Sequence, residues 1–208
     1  MKNFIKNKWQ WIIAIICLIG FIAIAEDVFH KEIMKGDIVG YDIISRLSKL
    51  KFATPVAKFI TNFGGTIFIT LSAIALVIII KNKKIKISIV VNLLIATLSS
   101  QILKRILQRP RPTGIRLVEV SGYSFPSGHS TVSMAFYGYL IYLIYKNIEN
   151  KYLKWSLITL LSVLICLIGA SRIYLGVHYT TDVLGGFFLS ISCLIIFVEV
   201  NNCISKNN

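Results

Sequence analysis

Residues 81–112 read KNKKIKISIVVNLLIATLSSQILKRILQRPRP. The stretch opens on the lysine-rich run Lys81–Lys86, continues through an apolar segment at 87–107, and leaves it through Lys104, Arg105, Arg109 and Arg111. An apolar run of about 20 residues is long enough to cross a bilayer as a helix. Lysines at one end are ordinary anchors, because their stems lie along apolar surface while the ammonium reaches water. The other end is different. Four positive charges fall within eight residues with no neighbouring acid, and Pro110 and Pro112 stop the helix and stiffen the exit. Arg105 and Arg109 are read as simple anchors against lipid headgroups; Lys104 and Arg111 are not.

The rest of the chain repeats the apolar pattern. Further runs lie at about 9–25, 57–80, 129–146, 155–172 and 183–200, which makes six candidate spans. Trp9, Trp11 and Trp155 sit at run ends, where amphipathic rings favour the membrane interface. The chain has 208 residues, 55% hydrophobic and only 15% charged, against about 25% charged in a soluble domain. The expected fold is therefore all-α: a polytopic membrane bundle of six transmembrane helices forming a single domain over 1–208. The net charge of +14 does not mark a nucleic-acid partner, because most of the basic residues flank apolar runs. Cys17, Cys166, Cys193 and Cys203 lie in or beside those runs without metal-ligand spacing and read as small apolar residues.

Lysine placement sets the expected orientation. Lys2, Lys6, Lys8, Lys81, Lys83, Lys84, Lys86, Lys146, Lys151, Lys154 and Lys206 fall on one side, which the positive-inside rule assigns to the cytoplasm with both termini. Segments 26–56, 108–128 and 173–182 then share the outer face. Residues 1–25 also resemble a signal peptide ending at Ala23-Ile24-Ala25, but the apolar run is long for one, and an uncleaved helix is expected. Segment 38–52 sets Ile43, Ile44, Leu47 and Leu50 against Asp42, Arg46 and Lys49. That pattern suits a helix in the membrane interface or one packed on the spans.

Two further stretches carry chemistry. Phe125-Pro126-Ser127-Gly128-His129 opens the fourth run. Ser127 is a natural N-cap, Gly128 permits close backbone approach, and the free N–H groups of a helix start suit a phosphate. His129 falls in the first turn. Between the fifth and sixth runs lies Ser171-Arg172-Ile173-Tyr174-Leu175-Gly176-Val177-His178-Tyr179-Thr180-Thr181-Asp182. On a helix, His178 and Asp182 would share a face, and a carboxylate on one ring nitrogen leaves the other with a free lone pair. Such a histidine is an oriented base or nucleophile.

Together the three stretches resemble the type 2 phosphatidic acid phosphatase superfamily, whose signature is Lys-x6-Arg-Pro, Pro-Ser-Gly-His and Ser-Arg-x5-His-x3-Asp. Lys104 through Arg111-Pro112, Pro126 through His129, and Ser171-Arg172 with His178 and Asp182 match every position. The motif core spans 104–182. The resemblance implies a lipid phosphatase in which His178 is the nucleophile, Asp182 orients it and His129 is the general acid. It assigns phosphate binding to Lys104, Arg111, Ser127, Gly128 and Arg172, and implies bacterial relatives acting on phosphatidylglycerophosphate or undecaprenyl pyrophosphate. No cofactor is expected, and no metal, since the chain lacks the carboxylate clusters of a two-metal phosphatase. The partner is a lipid phosphate in the cell membrane, met at headgroup depth on the extracytoplasmic side. The rival readings are a non-catalytic anionic-lipid binder or transporter, which would need the cations but not the histidines, and a lipid phosphotransferase using the same site. The sequence carries no signature of an oligomer interface.

Overall fold

The computed structural model describes residues 2–31, 33–114 and 116–207, with side chains at 1–8, 48, 49 and 204–208 outside the described set. Lys2, Lys6, Lys8, Lys49 and Lys206 are among those side chains. Within these bounds the chain is helical and no strand occurs. Eight helices follow in order: α1 Lys2–Phe29, α2 Lys35–Ser45, α3 Ala53–Asn62, α4 Thr66–Ile79, α5 Lys83–Leu107, α6 Gly128–Asn147, α7 Lys151–Tyr174 and α8 Thr180–Asn207. A short 3-10 turn, Arg46–Lys49, follows α2.

Local chemistry sets several ends. The Asn82 side chain accepts from the backbone N–H groups of Lys84 and Ile85, starting α5. Asn150 does the same for α7 through Leu153. Such caps satisfy amides that a first turn leaves unpaired. Gln108 closes α5 in the left-handed conformation, φ 46°, ahead of the proline-rich exit.

Four described helices are long and apolar enough to cross a membrane: α1, α5, α7 and α8. The run at 57–80 is not one straight helix. It breaks at Phe63–Gly65 into α3 and α4, bent by 44°, and counts as a fifth span if the pair crosses together. The break packs against α6 and α7 beside the cavity. The Tyr137 hydroxyl donates to the Phe63 carbonyl at 2.7 Å, and a Cβ at Gly64 would run into Ile168 and reach the His129 ring. The run at 129–146 forms α6, but α6 is not apolar enough to count as a span by composition. Its position explains this. α6 packs on α5, α7 and α8 and buries Ser130, Thr131, Ser133, Ala135, Phe136, Tyr137 and Tyr139. A helix surrounded by protein needs no lipid-facing coat.

The core joins Ile69 and Ala73 of α4, Ile89 of α5, Phe136, Tyr137 and Tyr139 of α6, Ile165 and Ile168 of α7, and Val198 of α8. Buried polar side chains tie the helices together. Asn92 donates to the Ala135 carbonyl at 2.8 Å, Ser190 to Thr131 at 2.6 Å and Ser192 to Ala14 at 3.0 Å. Hydrogen bonds and close packing of small residues, more than hydrophobicity, hold helices together in lipid. Isoleucines, leucines and valines of α1, α4, α5 and α7 are exposed around the outside, as lipid contact requires.

α2 packs on α7 and α8 and carries exposed Ile38, Val39, Tyr41 and Ile43. Segment 38–52 is not one helix: α2 ends at Ser45, a 3-10 turn follows at Arg46–Lys49, and the chain leaves helical structure before α3. α1 runs unbroken through Ala23–Ala25 and packs along α8, burying Ala14, Cys17, Phe21 and Val28.

Candidate active site

The candidate site residues gather at one end of the bundle. Lys104 is in the last turn of α5, His129 in the first turn of α6, Arg172 in the last turn of α7 and Asp182 in the first turn of α8. Arg111 and His178 lie in the two connections. The lysines of the other connections lie at the far ends of the same helices, where Lys84, Lys146, Asn147 and Asn202 surround a separate small cavity.

Lys104, Arg111, Gly128, His129, Arg172 and His178 all line one cavity of about 700 Å³. The α5–α6 connection holds two of its cations by backbone carbonyls. Lys104 Nζ donates to Tyr123 O at 2.7 Å and to Ser124 O at 3.2 Å. Arg111 donates from Nε to Gly122 O at 2.9 Å, from Nη2 to Ser121 O at 3.0 Å and from Nη1 to Val177 O at 2.8 Å. Gly122 takes φ +73°, which only glycine adopts freely, and this turn presents the carbonyls. Arg172 is buried and donates from Nη1 to Thr61 Oγ1 of α3 at 2.7 Å. Three cations are thus held in place by neutral acceptors, which leaves their charge available to an anion.

His178 is 3% exposed. Its Nε2 faces Arg111 Nη1 at 3.3 Å, and its Nδ1 faces Ser124 Oγ at 3.3 Å and Asp182 Oδ2 at 3.4 Å. Guanidinium has donors only, so Nε2 presents its lone pair and Nδ1 carries the proton. Burial pushes the His178 pKa down to about 4; Asp182 pulls it up, and Arg172 and Arg111 push it further down. The ring is therefore neutral near pH 7, as a nitrogen nucleophile must be.

The His178–Asp182 pair is not built as two residues on one helical face. His178 precedes α8, and only Asp182 is helical. The carboxylate turns back to accept from the Tyr179 N–H at 2.8 Å and from the Ser124 hydroxyl. It also gains from its place in the first turn of α8, near the positive end of the helix dipole.

The expectation for Arg109 is overturned. It is no headgroup anchor: it is 4% exposed and forms two buried ion pairs, Nη1 to Asp182 Oδ1 at 2.7 Å and Nη2 to Asp37 Oδ2 at 2.6 Å. The Tyr179 ring lies 4.2 Å from its guanidinium carbon. The chain turns inward after Gln108, and a charge carried into the bundle must be paired. Arg105 remains exposed, at the cavity mouth. Ser127 stands at the N-cap position, but its hydroxyl caps nothing; it accepts from Ser130 Oγ at 3.0 Å, is fully buried and does not line the cavity. Its backbone N–H donates to Asp182 O at 3.0 Å and joins the starts of α6 and α8.

Asp37, Thr61, Arg109 and Ser124 were not singled out from sequence as site residues. None sits in a spaced motif, and each acts through a neighbour that does. The nearest signal was the run Arg109-Pro110-Arg111, where one charge had to differ from the other. Among the described residues, no three His, Cys, Asp or Glu side chains come together as a metal site.

This fold and this cluster define a class, the membrane-embedded phosphatases. The chain belongs to the PAP2 superfamily, which residues 85–203 match. It is 42% identical to phosphatidylglycerophosphatase B of Bacillus subtilis over 96 residues, 45% of this chain and 47% of that one, so the match spans about half of that relative. It is 27% identical to an undecaprenyl-diphosphatase of Sulfolobus acidocaldarius over 97% of this chain and 96% of that one. The crystal structure of a transmembrane PAP2-type phosphatidylglycerolphosphate phosphatase from Bacillus subtilis superposes with TM-score 0.77 at 26% identity, covering 92% of this chain and 96% of the other. LpxE of Aquifex aeolicus shares the fold, with TM-score 0.62 at 22% identity over 76% of this chain and 92% of that one.

Proposed function

We propose that this protein is a lipid phosphatase that cleaves a phosphomonoester or diphosphate of a membrane lipid through a phosphohistidine, without a metal. One observation carries the reading: a single cavity presents two histidines and three cations held by neutral acceptors. Phosphoryl transfer asks mainly for positioning and for positive charge around the equatorial oxygens. Lys104, Arg111, Arg172 and the Gly128 N–H hold the phosphate. Ser127 contributes through its backbone, by fixing where α6 begins.

In the first step the Nε2 lone pair of His178 attacks phosphorus. The bond to the lipid oxygen breaks, and His129 gives that oxygen a proton. Asp182 steadies the ring as it gains positive charge. In the second step His129 takes a proton from water as the water oxygen attacks phosphorus. The P–N bond breaks, inorganic phosphate leaves and His178 regains its lone pair. Dividing one displacement into two is the usual gain of a covalent intermediate.

Six spans complete the reading, with α3 and α4 crossing as one bent span and α6 as a protein-lined one. Both termini then lie in the cytoplasm, and the cavity opens at headgroup depth on the extracytoplasmic side, where a lipid can present its phosphate with its tails still in the bilayer. The test is phosphate release by the purified protein from phosphatidylglycerophosphate, phosphatidic acid and undecaprenyl pyrophosphate in detergent, with and without chelator. Release that survives chelation supports the reading. No release from any of the three favours a lipid-binding protein, and loss on chelation contradicts the metal-free mechanism.

A further inference from the structure

A buried charge with two ion pairs, Arg109, is one that the proposed chemistry does not use. Arg109 lies between Asp182 and Asp37, which is buried on α2. Asp37 Oδ2 accepts from Arg109 Nη2 at 2.6 Å, and its Oδ1 accepts from the Thr181 N–H at 2.9 Å and Thr181 Oγ1 at 2.7 Å. Arg109 Nη1 also donates to Thr181 Oγ1 at 2.8 Å. The carboxylates are wholly buried and the guanidinium nearly so, and charges placed there interact with little screening. Asp37 belongs to none of the three motifs and lies 144 residues before its partner Thr181.

Charge counting gives the arrangement a purpose. If Arg109 paired with Asp182 alone, the pair would be neutral. The ring of His178, gaining positive charge as it takes the phosphoryl group, would then face Lys104, Arg111 and Arg172 with no net anion behind it. With Asp37 present, the set of Asp37, Arg109 and Asp182 carries a net −1. Arg109 can clamp Oδ1 of Asp182 while Oδ2 still faces His178 with that charge uncancelled. We propose that Asp37 is a charge-balancing positioning residue: it neutralises Arg109, so that Arg109 can fix the Asp182 carboxylate without cancelling its charge toward His178.

The inference rests on His178 as the nucleophile, so wild type and His178→Ala are assayed first. Phosphate release by the first and none by the second establishes that basis separately. The set is then Asp37→Asn, Arg109→Gln and the double variant, each checked for monodisperse elution from detergent. Asp37→Asn keeps an acceptor for Thr181 but leaves Arg109 uncompensated. It is expected to lower kcat on the order of 10- to 100-fold with KM nearly unchanged, the size of one added unscreened charge near the ring. The double variant removes one charge of each sign and restores the net −1, so its kcat is expected to recover to within about 10-fold of wild type. The acid limb of its pH profile should also return to the wild-type position, whereas Asp37→Asn alone moves that limb to lower pH, because an extra positive charge disfavours protonated His178 among Asp182, Arg111, Arg172, Lys104 and His129. A double variant as slow as the worse single one, or a limb unmoved in Asp37→Asn, overturns the proposal. Should Asp37→Asn fail to fold, a folded double variant decides the matter by its own kcat.

Discussion

At the residue scale the cavity's cations are held by neutral acceptors, backbone carbonyls for Lys104 and Arg111 and a threonine hydroxyl for Arg172. His178 contributes a lone pair only while neutral, and its burial makes that the resting state. His178→Ala is expected to abolish phosphate release while the protein still inserts and elutes as wild type does; unchanged turnover would dismiss it as nucleophile. The pH dependence follows with a definite sign. A histidine with the ordinary pKa would begin to lose activity as pH falls through about 6.5. His178, with its pKa near 4, keeps its reactive form well below that. Once the ionisation of the substrate phosphate and of His129 is divided out, kcat/KM is expected to stay level between about pH 7 and 5 and to fall near pH 4. A limb centred near 6.5 would mean that the ring is more hydrated than the structure shows. The two arginines at 109 and 111 illustrate how little residue type alone says. Both are arginines before a proline, yet one lines the cavity and the other is sealed between two carboxylates.

At the scale of elements, the break between α3 and α4 is the feature a hydropathy reading cannot show. Residues 57–80 read as one mainly apolar run despite Lys58 and Asn62, and apolarity is indifferent to a bend. The bend follows from Gly64 and Gly65 and from what packs against them. A Cβ at Gly64 would lie 2.5 Å from Ile168 Cγ2 and 3.3 Å from the His129 ring. Gly64→Ala is therefore expected to displace the His129 ring, the proposed general acid. It should lower kcat more than it raises KM, at an overpacking cost of about 1–3 kcal/mol, measured as a drop in thermal midpoint in detergent. α6 teaches the converse. Its histidine, serines, threonine and four tyrosines weaken its signal as a span, and they are accommodated because its neighbours are α5, α7 and α8. Asn92→Ala, which removes the donor to Ala135, is expected to cost about 0.6–1.7 kcal/mol, the range of interhelical hydrogen bonds in lipid. A cost near zero would show that a neighbouring group replaces the bond.

At the scale of the whole molecule, topology decides which lipids can reach the site. All three motifs meet at one end of the bundle, and the short lysine loops occupy the other. Single cysteines at Gly114 and Lys81, in a variant with Cys17, Cys166, Cys193 and Cys203 replaced by alanine, test the orientation. On intact cells an impermeant maleimide is expected to label the first and not the second; the reverse pattern would put the cavity in the cytoplasm.

The sequence by itself determined the helical membrane class, both ends of α6 and the C-terminal end of α5, and it supplied the eight candidate site residues within the motifs. Those features are local or periodic: apolar runs, capping residues and fixed spacings stay legible along the chain. Tertiary structure decided the bend at Gly64, the protein-lined course of α6, the inward turn of the Ser127 hydroxyl and the Asp37–Arg109–Asp182 clamp. Each depends on what a side chain meets across the bundle. Asp37 and Asp182 lie 72 and 73 residues from Arg109 on either side. No spacing rule reaches so far, and only burial, which forbids an unpaired charge, brings the three together.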